Sequence, residues 1–226
     1  EGIFSHFSTS DEYDKSYTLM QFDKFMKVCD MLEEKGLHIP IRHIANSAAI
    51  MMYPQTHLDM VRAGIILYGL YPSEEVDKSK INLVPVMTLK SRITMIKTLG
   101  AGCGISYGKT YITNHDTKIA TVPIGYADGY TRLLSGSAEM IAKNTPVPVI
   151  GRICMDQCMI DVTSVNNINT GDEVIVFGAG AVTADNLAEW IGSVNYEIVC
   201  MISKRIPRIY IKNGKAVKTL NYLNRI

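Results

Sequence analysis

Tyr107 sits in the stretch GCGISYGKTY, residues 102–111, between a serine and a glycine, with further glycines at 102 and 104. A tyrosine in a β-rich segment is ordinarily a packing residue. Glycines around it change that expectation, because bare backbone can approach a ligand or a facing chain closely. A phenol has a reference pKa of ~10. It serves as a base only where a cation or a hydrogen-bond network stabilises the phenolate.

Other side chains raise similar questions. RHIANSAA carries His43, Asn46 and Ser47 at a strand-to-helix junction. Small polar residues there make either a helix cap or an anion cradle. In VRAGI, Arg62 lies in a largely apolar segment, where a charge needs a specific partner. Gly64 and Ile65 follow it and offer accessible backbone N–H groups. His6 follows a short apolar stretch, a setting in which histidine is more often structural than catalytic. Tyr126, Asp128, Cys154, Met155 and Asp156 gather at expected strand ends. Cys154 and Cys158 are four apart, but no histidine lies near them, which argues against zinc.

These residues need elements to hold them. Residues 14–36 carry Leu19, Phe22, Phe25, Met26, Cys29 and Leu32 at spacings of three and four, predicting an amphipathic helix that Gly36 stops. Residues 38–47 begin as a short buried strand. Residues 57–69 predict a short strand, a glycine turn and more helix. Residues 72–85 are polar and bounded by prolines, and a domain boundary is placed near Asn82. Beyond it, residues 86–99, 117–129, 140–163 and 172–180 predict strands punctuated by Gly, Asn and Pro. Residues 182–192 predict one helix, N-capped by Thr183, with Leu187, Trp190 and Ile191 on its buried stripe. The tail predicts a hairpin around Asn213 and Gly214. The fold class is therefore α/β and then mainly β, ending in a β-barrel-like domain.

Composition excludes several functions. The chain has 226 residues, 47% hydrophobic and 20% charged, with a formal net charge of +1. That charge favours neither nucleic acid nor a membrane surface. No apolar run reaches the roughly 18 residues of a spanning helix, and no signal peptide is visible. Five scattered cysteines and twelve methionines point to a reducing, cytoplasmic setting.

Taken in order, SHFSTSDE, HIANSAA, MVRAGIILYG, GISYGKTY, TVPIGYADGY, GRICMDQCMI and NYEIVCMISKRIPRIY resemble bacterial alanine racemases over essentially the whole chain. The resemblance implies a pyridoxal-phosphate isomerase that interconverts L- and D-alanine and supplies D-alanine for the peptidoglycan of the cell wall. It implies a (β/α)₈ TIM barrel, of which residues 1–82 are the last part, and a C-terminal β domain, residues 83–226. It further implies a head-to-tail homodimer with shared active sites. By the same resemblance Tyr107 is the catalytic tyrosine, entering the partner's site. Arg62 faces the pyridine nitrogen, and His6 links that arginine to the tyrosine of the other chain. Ser47, Gly64 and Ile65 contact the phosphate, and His43 lies near the arginine. Tyr126, Met155 and Asp156 stand at the substrate carboxylate and its approach channel. Two bases on opposite faces of the α-carbon suffice for racemisation, and pyridoxal supplies the electron sink. A permanently charged arginine is a poor proton donor to the ring nitrogen, which limits carbanion lifetime and side reactions.

The sequence departs from the family at two places. The cofactor-anchoring lysine, in a motif like Lys-Ala-Asn-Ala-Tyr-Gly, has no match in these 226 residues. The expectation is therefore a C-terminal fragment, inactive alone, with residues 1–82 packed against another copy or poorly ordered. Lys204 stands where many members carry a tyrosine on the cofactor phosphate. An ammonium meets phosphate as a point charge, and the position leaves alanine against serine open. The alternatives are the catalytic module of a membrane-anchored serine/alanine racemase, or a non-catalytic dimerisation and binding module.

Overall fold

Residues 1–53 build a strand–helix–strand–helix unit. In this computed structural model, residues 1–178, 180 and 182–223 are described. The chain divides into two compact units, Glu1–Val86 and Met87–Ile226.

In the first unit, β1 (Gly2–Phe4) pairs in parallel with β2 (Ile41–His43), Gly2 opposite Ile41 and Phe4 opposite His43. Parallel strands need a long crossover, and α1 (Ser16–Glu34) provides it. Its end is fastened by two reversed bonds, Gly36 N–H to Glu33 O and Leu37 N–H to Leu32 O, which occupy carbonyls the helix leaves unpaired. Phe25 and Cys29 of α1 pack on Phe7, Ile44, Ala45 and Tyr53. Leu19, expected on the buried stripe, is exposed, and Thr18 is buried instead. The hydroxyl makes that burial tolerable, because Thr18 Oγ1 lies 3.2 Å from Thr9 Oγ1.

Asn46 caps α2 (Ser47–Met52), its Oδ1 accepting from Ala49 N–H at 3.0 Å. The strand and longer helix expected over residues 57–69 do not form. The chain from 57 to 64 has no regular element, and only one 3₁₀ turn, Ile65–Tyr68, follows. Its backbone is nonetheless satisfied, since Asp59 N–H donates to Arg42 O and Arg62 N–H to Ala45 O. The segment thus runs alongside β2 and its continuation without a full ladder.

The second unit is mostly antiparallel sheet. Its strands are β3 (Leu89–Arg92), β4 (Met95–Leu99), β5 (Gly104–Ile105), β6 (Tyr111–Ile112), β7 (Thr117–Val122), β8 (Glu139–Ala142), β9 (Thr145–Ile150), β10 (Cys158–Asp161) and β11 (Glu173–Phe177). Seven of these form one sheet in the order β3-β11-β8-β9-β10-β7-β4. Its two outer members, β3 and β4, are separated only by Ile93 and Thr94. One continuous run therefore supplies both edges, so the sheet curls round until its short edge strands follow one another in the chain. The inner face is closed by Ile93, Ala120, Val122, Met140, Val147, Ile160, Val174 and Val176, all essentially buried. Ala179, at the end of the strand run expected over 172–180, lies outside the described residues.

Two helices follow, α3 (Ala184–Ile191) and α4 (Asn195–Met201). Thr183 and Asn186 cap α3 reciprocally, Thr183 Oγ1 accepting from Asn186 N–H and Asn186 Oδ1 from Thr183 N–H. Ala184, Leu187 and Ala188 form its buried face, while Trp190 and Ile191 are only half-buried. The strands β12 (Arg208–Lys212) and β13 (Lys215–Leu220) make the tail hairpin, turned by Asn213 and Gly214, both at positive φ.

Candidate active site

In the first unit, chemistry collects at the C-terminal ends of β1 and β2. Arg62 reaches this point because its backbone N–H is bonded to Ala45 O. Its guanidinium then spreads over several acceptors. Nη2 donates to Ser5 O at 2.8 Å and to His6 Nδ1 at 3.1 Å. Nη1 donates to His43 Nδ1 at 2.6 Å. Phe4 stacks on the His43 ring, with centroids 5.4 Å apart, and lies under the Arg62 guanidinium at 5.3 Å.

These contacts determine protonation. A guanidinium only donates, so His6 and His43 accept through Nδ1 and carry their proton on Nε2. His6 is exposed and so presents an N–H donor. The Arg62 partners among the described residues are carbonyls and neutral imidazoles, with no carboxylate. Burial lowers the Arg62 guanidinium from its ordinary value, yet it stays charged. A half-buried cation with neutral partners is available to an acceptor of another molecule.

Beside this cluster, Ser47 Oγ accepts from Gly64 N–H at 2.9 Å. The serine hydroxyl thus keeps its own proton to donate. Ile65 opens the 3₁₀ turn with its side chain buried, so its amide belongs to the first turn, which has no partner within the helix. A hydroxyl and first-turn amides form a donor set suited to a phosphate. A guanidinium opposite neutral acceptors suits a pyridine lone pair. The residues present therefore fit pyridoxal phosphate.

In the second unit, Tyr107 stands on the short turn Tyr107–Lys109 between β5 and β6, not within a strand, and is 71% exposed. Tyr126 opens a second turn, Tyr126–Asp128. The two turns share one support, residues 151–157. Ser106 Oγ donates to Arg152 O at 2.6 Å. On the other side, Tyr126 N–H donates to Cys154 O at 3.1 Å and Ala127 N–H to Met155 O at 3.0 Å. Gly125 permits this approach, because a Cβ there would lie 2.2 Å from Cys154 O.

Met155 and Asp156 project from the same loop, and Met155 is 53% exposed. Asp156 Oδ1 accepts from Arg205 Nη2 at 2.7 Å. Arg205 also sets Nε 3.5 Å from Oδ1 of the buried Asp128. The second oxygen of Asp128 accepts from Gly125 N–H, which fixes the Tyr126 turn. The hydrogen bond to Asp156, with Asp128 close by, raises the Arg205 guanidinium further above its ordinary value. Lys204 is exposed, its Nζ 5.9 Å from the Tyr222 ring.

The structure therefore groups Arg62, His6 and His43, pairs Ser47 with Gly64, and sets Tyr126, Met155 and Asp156 around one loop. Sequence reasoning missed Arg205. Its signal was a second charge directly beside Lys204.

Comparison with known proteins places these features. The family described as "Alanine racemase, C-terminal domain" matches residues 86–210, and "Alanine racemase, N-terminal domain" matches residues 1–72. A protein named alanine racemase 1 from Clostridium acetobutylicum is 56% identical over 226 residues, covering 99% of this chain and 58% of that protein. The solved alanine racemase of Clostridium difficile 630 in complex with cycloserine is 49% identical, with a TM-score of 0.96 over 99% of this chain and 59% of that one. The alanine racemase of Bacillus anthracis with bound L-Ala-P is 40% identical, with a TM-score of 0.95, covering 100% of this chain and 59% of that one. The chain thus spans somewhat over half the length of the relatives it matches.

Proposed function

This chain belongs to the alanine racemase family, and on that premise we propose that it carries residues for the pyridoxal-phosphate-dependent interconversion of L- and D-alanine. The observation that supports this most directly is the Arg62 cluster. A guanidinium held by Ser5 O, His6 and His43 lies at the C-terminal ends of parallel strands, the end at which barrel enzymes place their sites.

In this reading Ser47, Gly64 and Ile65 hold the cofactor phosphate and Arg62 faces the ring nitrogen. The cofactor, when bound, supplies the electron sink that acidifies the substrate α-carbon. Tyr107 gives and takes the α-proton on one face. The His6 Nε2–H, backed by the Arg62 charge, stabilises its phenolate. Tyr126, Met155 and Asp156 line the substrate carboxylate and its approach. Lys204 lies on the phosphate side. The active sites are shared in a homodimer, and Tyr107 of one copy serves the other. The product supplies D-alanine for cell-wall peptidoglycan. The five cysteines, all unpaired, accord with a cytoplasmic enzyme. No helix among the described residues is long and apolar enough to cross a membrane.

The experiment is racemisation of alanine and serine with pyridoxal phosphate, with and without the N-terminal barrel segment of a relative supplied as a separate chain. We expect activity only on complementation, with alanine the faster substrate, and a loss of at least ~10²-fold in Tyr107→Phe. Activity of the chain alone would show that a lysine within it serves as the second base. No activity in the folded complemented pair would sink the enzymatic reading and favour a dimerisation module.

A further inference from the structure

Tyr107 is an exposed side chain on unusually constrained backbone. Ser106 before it has φ 62° and ψ −174°, a region essentially reserved for glycine. Burying Tyr107 does not offset that strain, since its ring is 71% exposed. Three contacts from one segment hold the strained turn in place. Ser106 Oγ donates to Arg152 O at 2.6 Å. Gly151 backs directly onto the turn, where a Cβ would lie 2.8 Å from Ile105 O and 2.9 Å from Ser106 Cβ. Gly108, at φ 72°, has the Arg152 guanidinium against it, 2.9 Å from where a Cβ would stand. Behind them, Ile105 is buried with Ile119 and Ile150 in a small apolar cluster, so the base of the turn cannot slide.

We infer that Ser106 is a positioning residue for Tyr107, tethering the turn to Arg152 so that the phenol is presented outward in one orientation. The serine is required for its hydroxyl, although glycine would suit the backbone better. A strained conformation kept by surrounding contacts beside a reactive group is a means of pre-organisation. This inference rests on the reading of Tyr107 as an acid–base group, but the tether can be tested without it.

The test compares Ser106→Gly and Ser106→Ala with the unsubstituted chain. Glycine relieves the backbone strain and removes the hydroxyl, whereas alanine removes the hydroxyl alone. The first measurement is ¹⁵N relaxation of the Tyr107 and Gly108 amides in this chain. We expect order parameters near 0.85 to fall below roughly 0.6 in both variants, with Trp190 fluorescence unchanged. The second is racemisation in the complemented pair. We expect kcat to fall on the order of tenfold or more, with KM within about twofold, because misplacing a reacting group costs rate rather than binding.

If Ser106→Gly leaves these amides as ordered as before, or leaves kcat intact, the positioning role is overturned. Should Ser106→Ala fail to fold, Ser106→Gly decides by itself. An inactive unsubstituted pair would count against the enzymatic reading, while the relaxation data still decide the tether.

Discussion

The two units position reactive side chains by different means. In Glu1–Val86 a single charged side chain does it, because Arg62 bonds Ser5, His6 and His43 across up to 57 residues of sequence. In Met87–Ile226 backbone shape does it, because turns bearing Tyr107 and Tyr126 rest on residues 151–157 where glycines leave room. The supporting sheets differ too. The first unit offers a two-stranded parallel pair, the second a curled seven-stranded sheet. A thin scaffold needs side-chain bonds to hold a site, whereas a broad, well-packed sheet can hold one through sterics. Substitutions should therefore fail for different reasons in the two units.

The largest effect is expected where shape governs. Gly125→Ala places a Cβ 2.2 Å from Cys154 O and 2.4 Å from Met155 O. Both are backbone atoms, so the Tyr126 turn must move. Overpacking of this kind costs 1–3 kcal/mol and occasionally more, and roughly 3 kcal/mol is expected here. The urea midpoint read by Trp190, the one tryptophan and a residue of α3, should fall accordingly. An unchanged midpoint would show that the turn is pliable and the contrast overdrawn.

Arg62→Lys comes next. The charge remains, but one ammonium cannot reach Ser5 O, His6 and His43 together. Charge-assisted bonds contribute about 1.5–3 kcal/mol each and are partly replaced by water, so a loss of about 2 kcal/mol is expected. It should appear as lost hydrogen-exchange protection in β1 and β2, with β7–β10 unaffected. Equal loss in both units would mean that they unfold together.

The smallest effect is a matter of pH. Hydrogen bonds from the Arg42 side chain and backbone hold Asp59 below the usual carboxylate range. A depressed folded value adds stability above the unfolded pKa of roughly 3.9, and that stability is lost as pH falls through the folded value. Asp59→Asn should therefore lower hydrogen-exchange protection of β2 at pH 6 and match the parent near pH 2. A difference that persists in acid would mean that packing, not charge, links residue 59 to β2.

Much of the molecule was legible in its residues. The spacing of Phe25 and Cys29 marks the buried face of α1. Thr183 caps α3, and Asn213 with Gly214 turns the tail hairpin. Such features depend on φ/ψ preferences and hydrogen bonds within a few residues, which local sequence contains. The resemblance to alanine racemases nominated Arg62, His6, His43, Tyr107 and Asp156 as a group. Local pattern failed at residues 57–69, where apolar content suggested strand and helix. There the backbone is satisfied by β2 and its continuation instead, so no regular element is required.

What the sequence by itself determined is the order of elements, their caps and turns, and the family. Tertiary structure alone decided that β3 and β4 become the two edges of one sheet, that the imidazoles of His6 and His43 accept from Arg62, that Arg205 spans Asp156 and Asp128, and that Ser106 is held in a glycine-like conformation. The side-chain contacts among these join segments distant in sequence, the β3 and β4 edges are set by the strands between them in the sheet, and at Ser106 the distant partner Arg152 sustains the local strain. No local preference encodes such contacts, because they form only when the folded core brings their partners within reach.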